Sequence, residues 1–316
     1  MNRVQIPQLM PDMPCVCDSG KPLRECCAVP GGGVAKALPR IEPPRPRSGY
    51  SHPRCYLRST KDCSEKITGE HFISRTVLEV LGDMVAIDGA PWLPAGERRE
   101  IGINSLTAKV LCDRHNGPLS PLDRSAGELF GRLLGIHRDM RRSSLSRKGS
   151  IWLTSGEALE RWMLKAACGF FYSKNASKEA AALATDHVID DALVVRALFS
   201  GVWNHGCGLY MRAGAGMTFT TAGAVSISAL TSSSEKRVVG ARLIMGGLWF
   251  DLLFDNSAFD EEWYQSGWVY RPAELIFENG RRLHRIWLSW PMPGTGYSLT
   301  LSYKGSPALL KKGGRR

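Results

Sequence analysis

Nine cysteines constrain this chain more than any other feature. They stand at positions 15, 17, 26, 27, 55, 63, 112, 168 and 207, seven of them within the first 112 residues and in tight groups. The N-terminus MNRVQIPQLMPDMPC has no hydrophobic run of the kind that marks a secretory signal, so the expected location is the cytoplasm. An odd number of thiols in a reducing compartment argues for metal ligation rather than a disulfide framework. Zinc is the default metal, because it accepts tetrahedral sulfur and imidazole without redox chemistry.

The first group runs Cys15-x-Cys17-x8-Cys26-Cys27, with Asp-Ser-Gly-Lys-Pro between the pairs. Those turn formers fold the chain back so that four sulfurs can meet in one structural site, which metal binding would help to fold. The stretch PCVCDSGKPLRECC resembles the SEC-C zinc motif, with Asp18 where that family usually has glycine. The resemblance implies an accessory zinc knuckle that contacts proteins or nucleic acid and is not itself the catalyst. From Pro30 to Pro53 follow six prolines, three consecutive glycines and four basic residues against the single Glu42. This reads as an extended basic linker with no core of its own.

The second group is Cys55-x7-Cys63, then Gly69-Glu70-His71-Phe72, then Cys112-x2-His115-Asn116. Two ligands from a loop and two from a Cys-x2-His turn make a second four-coordinate site, from Cys55, Cys63, Cys112 and His115. The order of these motifs is similar to that of the HNH endonucleases, nearest in pattern to the phage Holliday-junction enzymes. In those, a zinc staples a ββα-metal unit, an acid and a histidine are adjacent on the first strand, and an asparagine follows the last zinc ligand. The resemblance covers roughly residues 55–125. It implies His71 as general base, since neutral imidazole takes a proton near pH 7. It implies Glu70 and Asn116 as oxygen ligands of a separate catalytic Mg²⁺ or Mn²⁺. It also implies an asparagine that orients the base, for which Asn104 is the candidate. Ser74 stands where a proline commonly follows the motif.

After Asn116 the chain reads Gly-Pro-Leu-Ser-Pro-Leu-Asp. Asp123 is expected to cap a helix over Arg124–His137, with a metal ligand as its other reading. Then Arg138, Arg141, Arg142, Arg147 and Lys148 fall within eleven residues, expected as an exposed strand or loop that either contacts phosphates or is simply solvated. The excess of 41 lysines and arginines over 30 acids, a formal charge of +11, also favours a polyanionic partner.

Thr154-Ser-Gly-Glu157 reads as a capping box opening an amphipathic helix over 155–172, with Lys165 a surface lysine and Cys168 in the core. One or two helices are expected over 180–199. Beyond about residue 205, period-two alternation such as Tyr297, Leu299, Leu301 predicts a mostly antiparallel sheet of about five to seven strands, with Glu278-Asn279-Gly280 a hairpin turn. This half carries no recognisable chemistry and suits targeting, a protein partner or homodimerisation. No stretch is apolar enough to span a membrane.

The expected class is therefore α+β, in four parts: a zinc knuckle (1–29), a linker (30–53), a zinc-stapled ββα unit (54–150) and a helical then β-rich region (151–316). The expected function is a metal-dependent HNH-type endonuclease acting on nucleic acid, DNA rather than RNA. It would carry two structural zinc ions and one catalytic Mg²⁺ or Mn²⁺, in a setting such as phage defence. The alternative is a zinc-stabilised adaptor that binds nucleic acid or protein without hydrolysis. The two differ at Glu70: an enzyme needs a position open to a cation beside His71, and an adaptor has that position filled by side chains.

Overall fold

A computed structural model describes residues 9–30, 33–88, 97–141, 149–173, 189–213, 225–232, 237–245, 247–255, 267–279, 282–291 and 297–302. The fold is α+β, with four helices and several antiparallel strand pairings among the described residues. None of these helices is long and apolar enough to cross a membrane.

Strand β1 (Ile67–His71) pairs antiparallel with β4 (Thr107–Cys112), His71 facing Thr107 and Ile67 facing Cys112. The register shifts between Thr68 and Glu70, a bulge at Gly69. Between these strands lie the short helix α1 (Arg75–Leu78) and a hairpin of β2 (Met84–Asp88) with β3 (Arg98–Gly102). Helix α2 (Asp113–Arg141) starts directly after β4.

This start corrects the expected helix over Arg124–His137. The prolines at 118 and 121 lie inside α2 and do not delay it. Leu119 and Leu122 are fully buried, and that burial outweighs the backbone hydrogen bonds the two prolines forgo. Asp123 is thus mid-helix and caps nothing. The helix also runs on through Arg138 to Arg141, so the start of the basic segment is helical, not strand or loop, and Arg138 is exposed. Arg142, Arg147 and Lys148, and the side chain of Arg141, lie outside the described residues.

Strand β5 (Gly149–Ser155) leads into α3 (Gly156–Tyr172). The cap is Ser155, whose side chain accepts from the Ala158 amide at 3.1 Å, one residue later than the expected capping box. Nor is α3 amphipathic: Ala158 to Phe171 are all buried, and the helix touches α2, β1, β4 and both sheets of the C-terminal half. Helix α4 (Asp191–Ser200) packs on it, and residues 180–188 of the region expected to be helical lie outside the described set.

The C-terminal strands form two sheets where one was expected. Strands β6 (Gly208–Ala213), β7 (Val225–Ser232), β8 (Arg237–Met245), β9 (Leu248–Leu253) and β10 (Val269–Tyr270) pair antiparallel in the order β10-β6-β9-β8-β7. Strands β11 (Glu274–Glu278), β12 (Leu283–Ser289) and β13 (Ser298–Ser302) join β5 in the order β13-β11-β12-β5. There only β11–β12, linked at the expected Asn279 turn, is antiparallel; β13 and β5 lie parallel to their neighbours. A lone hairpin pattern cannot reveal this, because β5 comes from before α3 and its pairing is set by tertiary contacts.

The N-terminal segments are packed on this body. Val16 accepts a backbone hydrogen bond from Leu153 of β5 at 2.9 Å, and Leu153 is buried with Cys15, Cys17 and Leu23. The described residues of the Pro-rich stretch form no helix or strand, but Ile41 is buried in the main core and Lys36 exchanges hydrogen bonds with Ser289.

Candidate functional site

Two groups of ligating atoms, Cys15, Cys17, Cys26 and Cys27, and Cys55, Cys63, Cys112 and His115, each lie within 4.8 Å of one another and can hold metal ions. A tetrahedral zinc shell places sulfurs about 3.8 Å apart and sulfur about 3.5 Å from imidazole nitrogen. In the first group Cys17 and Cys26 are 3.5 Å apart, and Cys26 and Cys27 3.7 Å. The turn between the pairs needs left-handed backbone at Asp18 (φ 60°) and Gly20 (φ 74°). Asp tolerates that region better than most residues. Burial raises the Cys17 thiol, but Ser19 and the neighbouring thiols outweigh it and bring it down to about 7, so a thiolate is available.

In the second group His115 Nδ1 faces Cys55 at 3.6 Å, Cys63 at 3.9 Å and Cys112 at 3.1 Å. Its Nε2 lies 3.1 Å from Thr60 Oγ1, which in turn donates to the Leu57 carbonyl at 2.7 Å. Thr60 therefore fixes the tautomer that leaves Nδ1 free to ligate. Contact with Cys55, more than His115, lowers Cys112 to about 2, and the same contact raises Cys55. All four residues are buried. Both donor sets, all soft sulfur or imidazole, fit zinc.

The second group ties β4 and the first turn of α2 to the preceding loop, and so places Glu70, His71 and Asn116 together. His71, at the end of β1, is half-buried, with Nε2 3.1 Å from the Ile103 carbonyl. Burial lowers its pKa, Ile103 partly opposes this and Arg75 adds to it, so the ring is neutral at pH 7. Nε2–H donates to Ile103, which leaves Nδ1 as the acceptor. Asn104, expected to orient the base, is exposed beside that carbonyl, and the backbone of its neighbour makes the contact instead.

Glu70 points to the other face of β1 and is 5% exposed. Its carboxylate takes a hydrogen bond from Lys165 Nζ, and Asn116, whose Nδ2 lies 3.1 Å from Thr68 Oγ1, also bonds to Glu70. The same Lys165 donates to Asp123 Oδ2 at 2.6 Å. Asp123 Oδ1 accepts from Ser74 Oγ at 2.5 Å, and Ser74 Oγ accepts from Trp162 Nε1 at 2.5 Å. Lys165 is 2% exposed, which corrects the expected surface lysine. Burial works against its charge, but Asp123 and Glu70 outweigh it and raise its pKa, so it is an ammonium. Burial raises Glu70, and Lys165 only partly offsets this. In the sequence Asp123 reads as a cap or a metal ligand, Lys165 as a surface lysine and Ser74 only as a departure from the family pattern; their ion-pair and hydrogen-bond roles were not legible there. The one local signal was charge in a run too apolar to have a solvent face, Glu160-Arg161 and Lys165 on α3.

Glu70 and Asn116 do not fit a resident Mg²⁺ or Mn²⁺ as the residues stand, because the cation between the carboxylates is the lysine. No family model, curated protein or solved structure matches this chain.

Proposed function

We propose that the chain is a nuclease that hydrolyses phosphodiester bonds in nucleic acid, DNA before RNA, on an HNH-like unit stapled by zinc, with a second zinc in the N-terminal knuckle. The observation that carries this reading is the state of His71: a neutral ring, fixed at Nε2 by Ile103, with Nδ1 left to accept a proton. In that role Nδ1 takes the proton of a water attacking phosphorus. The order of β1, β4 and α2, with the acid and histidine at the end of the first strand and Asn116 in the first helical turn, supports the HNH resemblance. Exposed Arg138 and the surplus of positive charge suit contacts to phosphates. A divalent ion would supply charge neutralisation at the scissile phosphate only once Lys165 had left Glu70 and Asp123. A cytoplasmic role in DNA processing or phage defence goes with the resemblance.

A second reading has its own support. Lys165 fills the space between Glu70 and Asp123, which is what an adaptor without hydrolysis requires. One experiment separates them. Purified zinc-loaded protein is incubated with supercoiled plasmid, linear duplex, single strands and RNA, in Mg²⁺, Mn²⁺ or EDTA, beside His71→Ala. Cutting that disappears in His71→Ala establishes the nuclease. Binding without cutting, unchanged in His71→Ala, establishes the adaptor.

A further inference from the structure

We infer that Lys165 is the resident cation of the Glu70 site, and that the chain holds no divalent ion there while Lys165 is in place. This rests on the nuclease reading only for its consequence, that cutting would require Lys165 to be displaced. The inference itself stands on geometry. One ammonium donates to both Glu70 of β1, next to His71, and Asp123 of α2. A divalent ion sharing those oxygens would sit at contact distance from a like charge in a site closed to solvent, where screening is weakest.

The helix that carries the lysine is held on both sides. On one, Trp162 donates to Ser74. On the other, Glu160 takes Arg271 through both oxygens at 2.9 Å and the Leu209 amide at 2.9 Å. Gly169 lies so close to Phe72 that an added Cβ would meet its Cα at 3.1 Å. These contacts fix α3, and with it the Lys165 backbone, against strands of the C-terminal half, so the ammonium can leave Glu70 only by a change of its own side-chain rotamer or by release of the helix.

The test is Mn²⁺ binding by zinc-loaded full-length protein, read from the free-ion electron paramagnetic resonance signal, with zinc content and circular dichroism confirming each fold. Wild type and Glu70→Gln are expected to titrate identically. Lys165→Met is expected to gain one site per chain, at least about tenfold tighter than any in wild type, and to lose it again in Lys165→Met/Glu70→Gln. A wild-type site that depends on Glu70 overturns the inference, as does a folded Lys165→Met that gains none. If Lys165→Met does not fold, the wild-type and Glu70→Gln comparison decides alone. Cleavage is read on the same samples. Absence of cutting in all of them counts against the nuclease and leaves the Mn²⁺ result to stand by itself.

Discussion

Replacing Lys165 by Met removes the ammonium bonded to Glu70 and Asp123 while keeping an apolar stem of similar length. Breaking a buried ion pair from one side costs about 3–5 kcal/mol, because a charge is left without a partner. The stranded carboxylate can escape by taking a proton. From an ordinary glutamate pKa of about 4.3, protonation of Glu70 at pH 7 costs roughly 3.7 kcal/mol, which bounds its share of the loss, and Asp123, more exposed and still bonded to Ser74, adds to it. The proton route fixes the sign of the pH dependence. Glu70 is already raised by burial and rises further without Lys165, so the folded variant binds more protons than its unfolded chain. Its deficit against wild type is greatest at high pH and shrinks as pH falls, by up to about 1.4 kcal/mol per unit. Adding Glu70→Gln should restore about 2 kcal/mol or more, since the amide needs no counter-charge. Urea denaturation of zinc-loaded protein, at pH 7.5 and 6.0 with wild type measured at each, checks this. A loss below about 1 kcal/mol, the same at both pH values, refutes the reasoning.

Three more outcomes are expected. Thr60→Val removes the partner of His115 Nε2 and should weaken zinc at the second site about 10–100-fold, measured by competition with a chromophoric chelator, with the first site unchanged. The acid limb of the cleavage profile, kcat/KM against pH, should fall below the ordinary histidine value of about 6.5, because burial holds His71 neutral and the base is lost only when the ring protonates; a limb at or above 6.5 would contradict this. Leu153→Ala, at a side chain 1% exposed beneath the knuckle, should cost about 2–5 kcal/mol in urea denaturation and expose the first cysteine group to thiol reagents.

The metal-ligand groups were legible in the sequence because their chemistry is local: cysteine and histidine spacing within short turns brings the same atoms together in almost any fold. The adjacency of Glu70 and His71 on opposite faces of a strand was legible for the same reason. Asp123 was not, since the prolines at 118 and 121 mimic a helix boundary that buried Leu119 and Leu122 override. Lys165 was not, because a lysine on a helix is ordinarily solvated, and only a helix enclosed on every side turns it into a buried ion. The parallel pairing of β5 with β12 was out of reach as well, for it joins Ser150 to His284 across 134 residues.

That same separation sets an order of events on the ribosome. Glu70 and Asp123 emerge early, and so does Lys165, but the strand that leads into its helix, bonded to Val16, has no partner strand until β12 has been made. At bacterial and eukaryotic elongation speeds of about 5–20 residues per second, those 134 residues take roughly 7–27 s. Through that interval β5 lacks the partner strand that completes its sheet, and α3 lacks the C-terminal strands that enclose it.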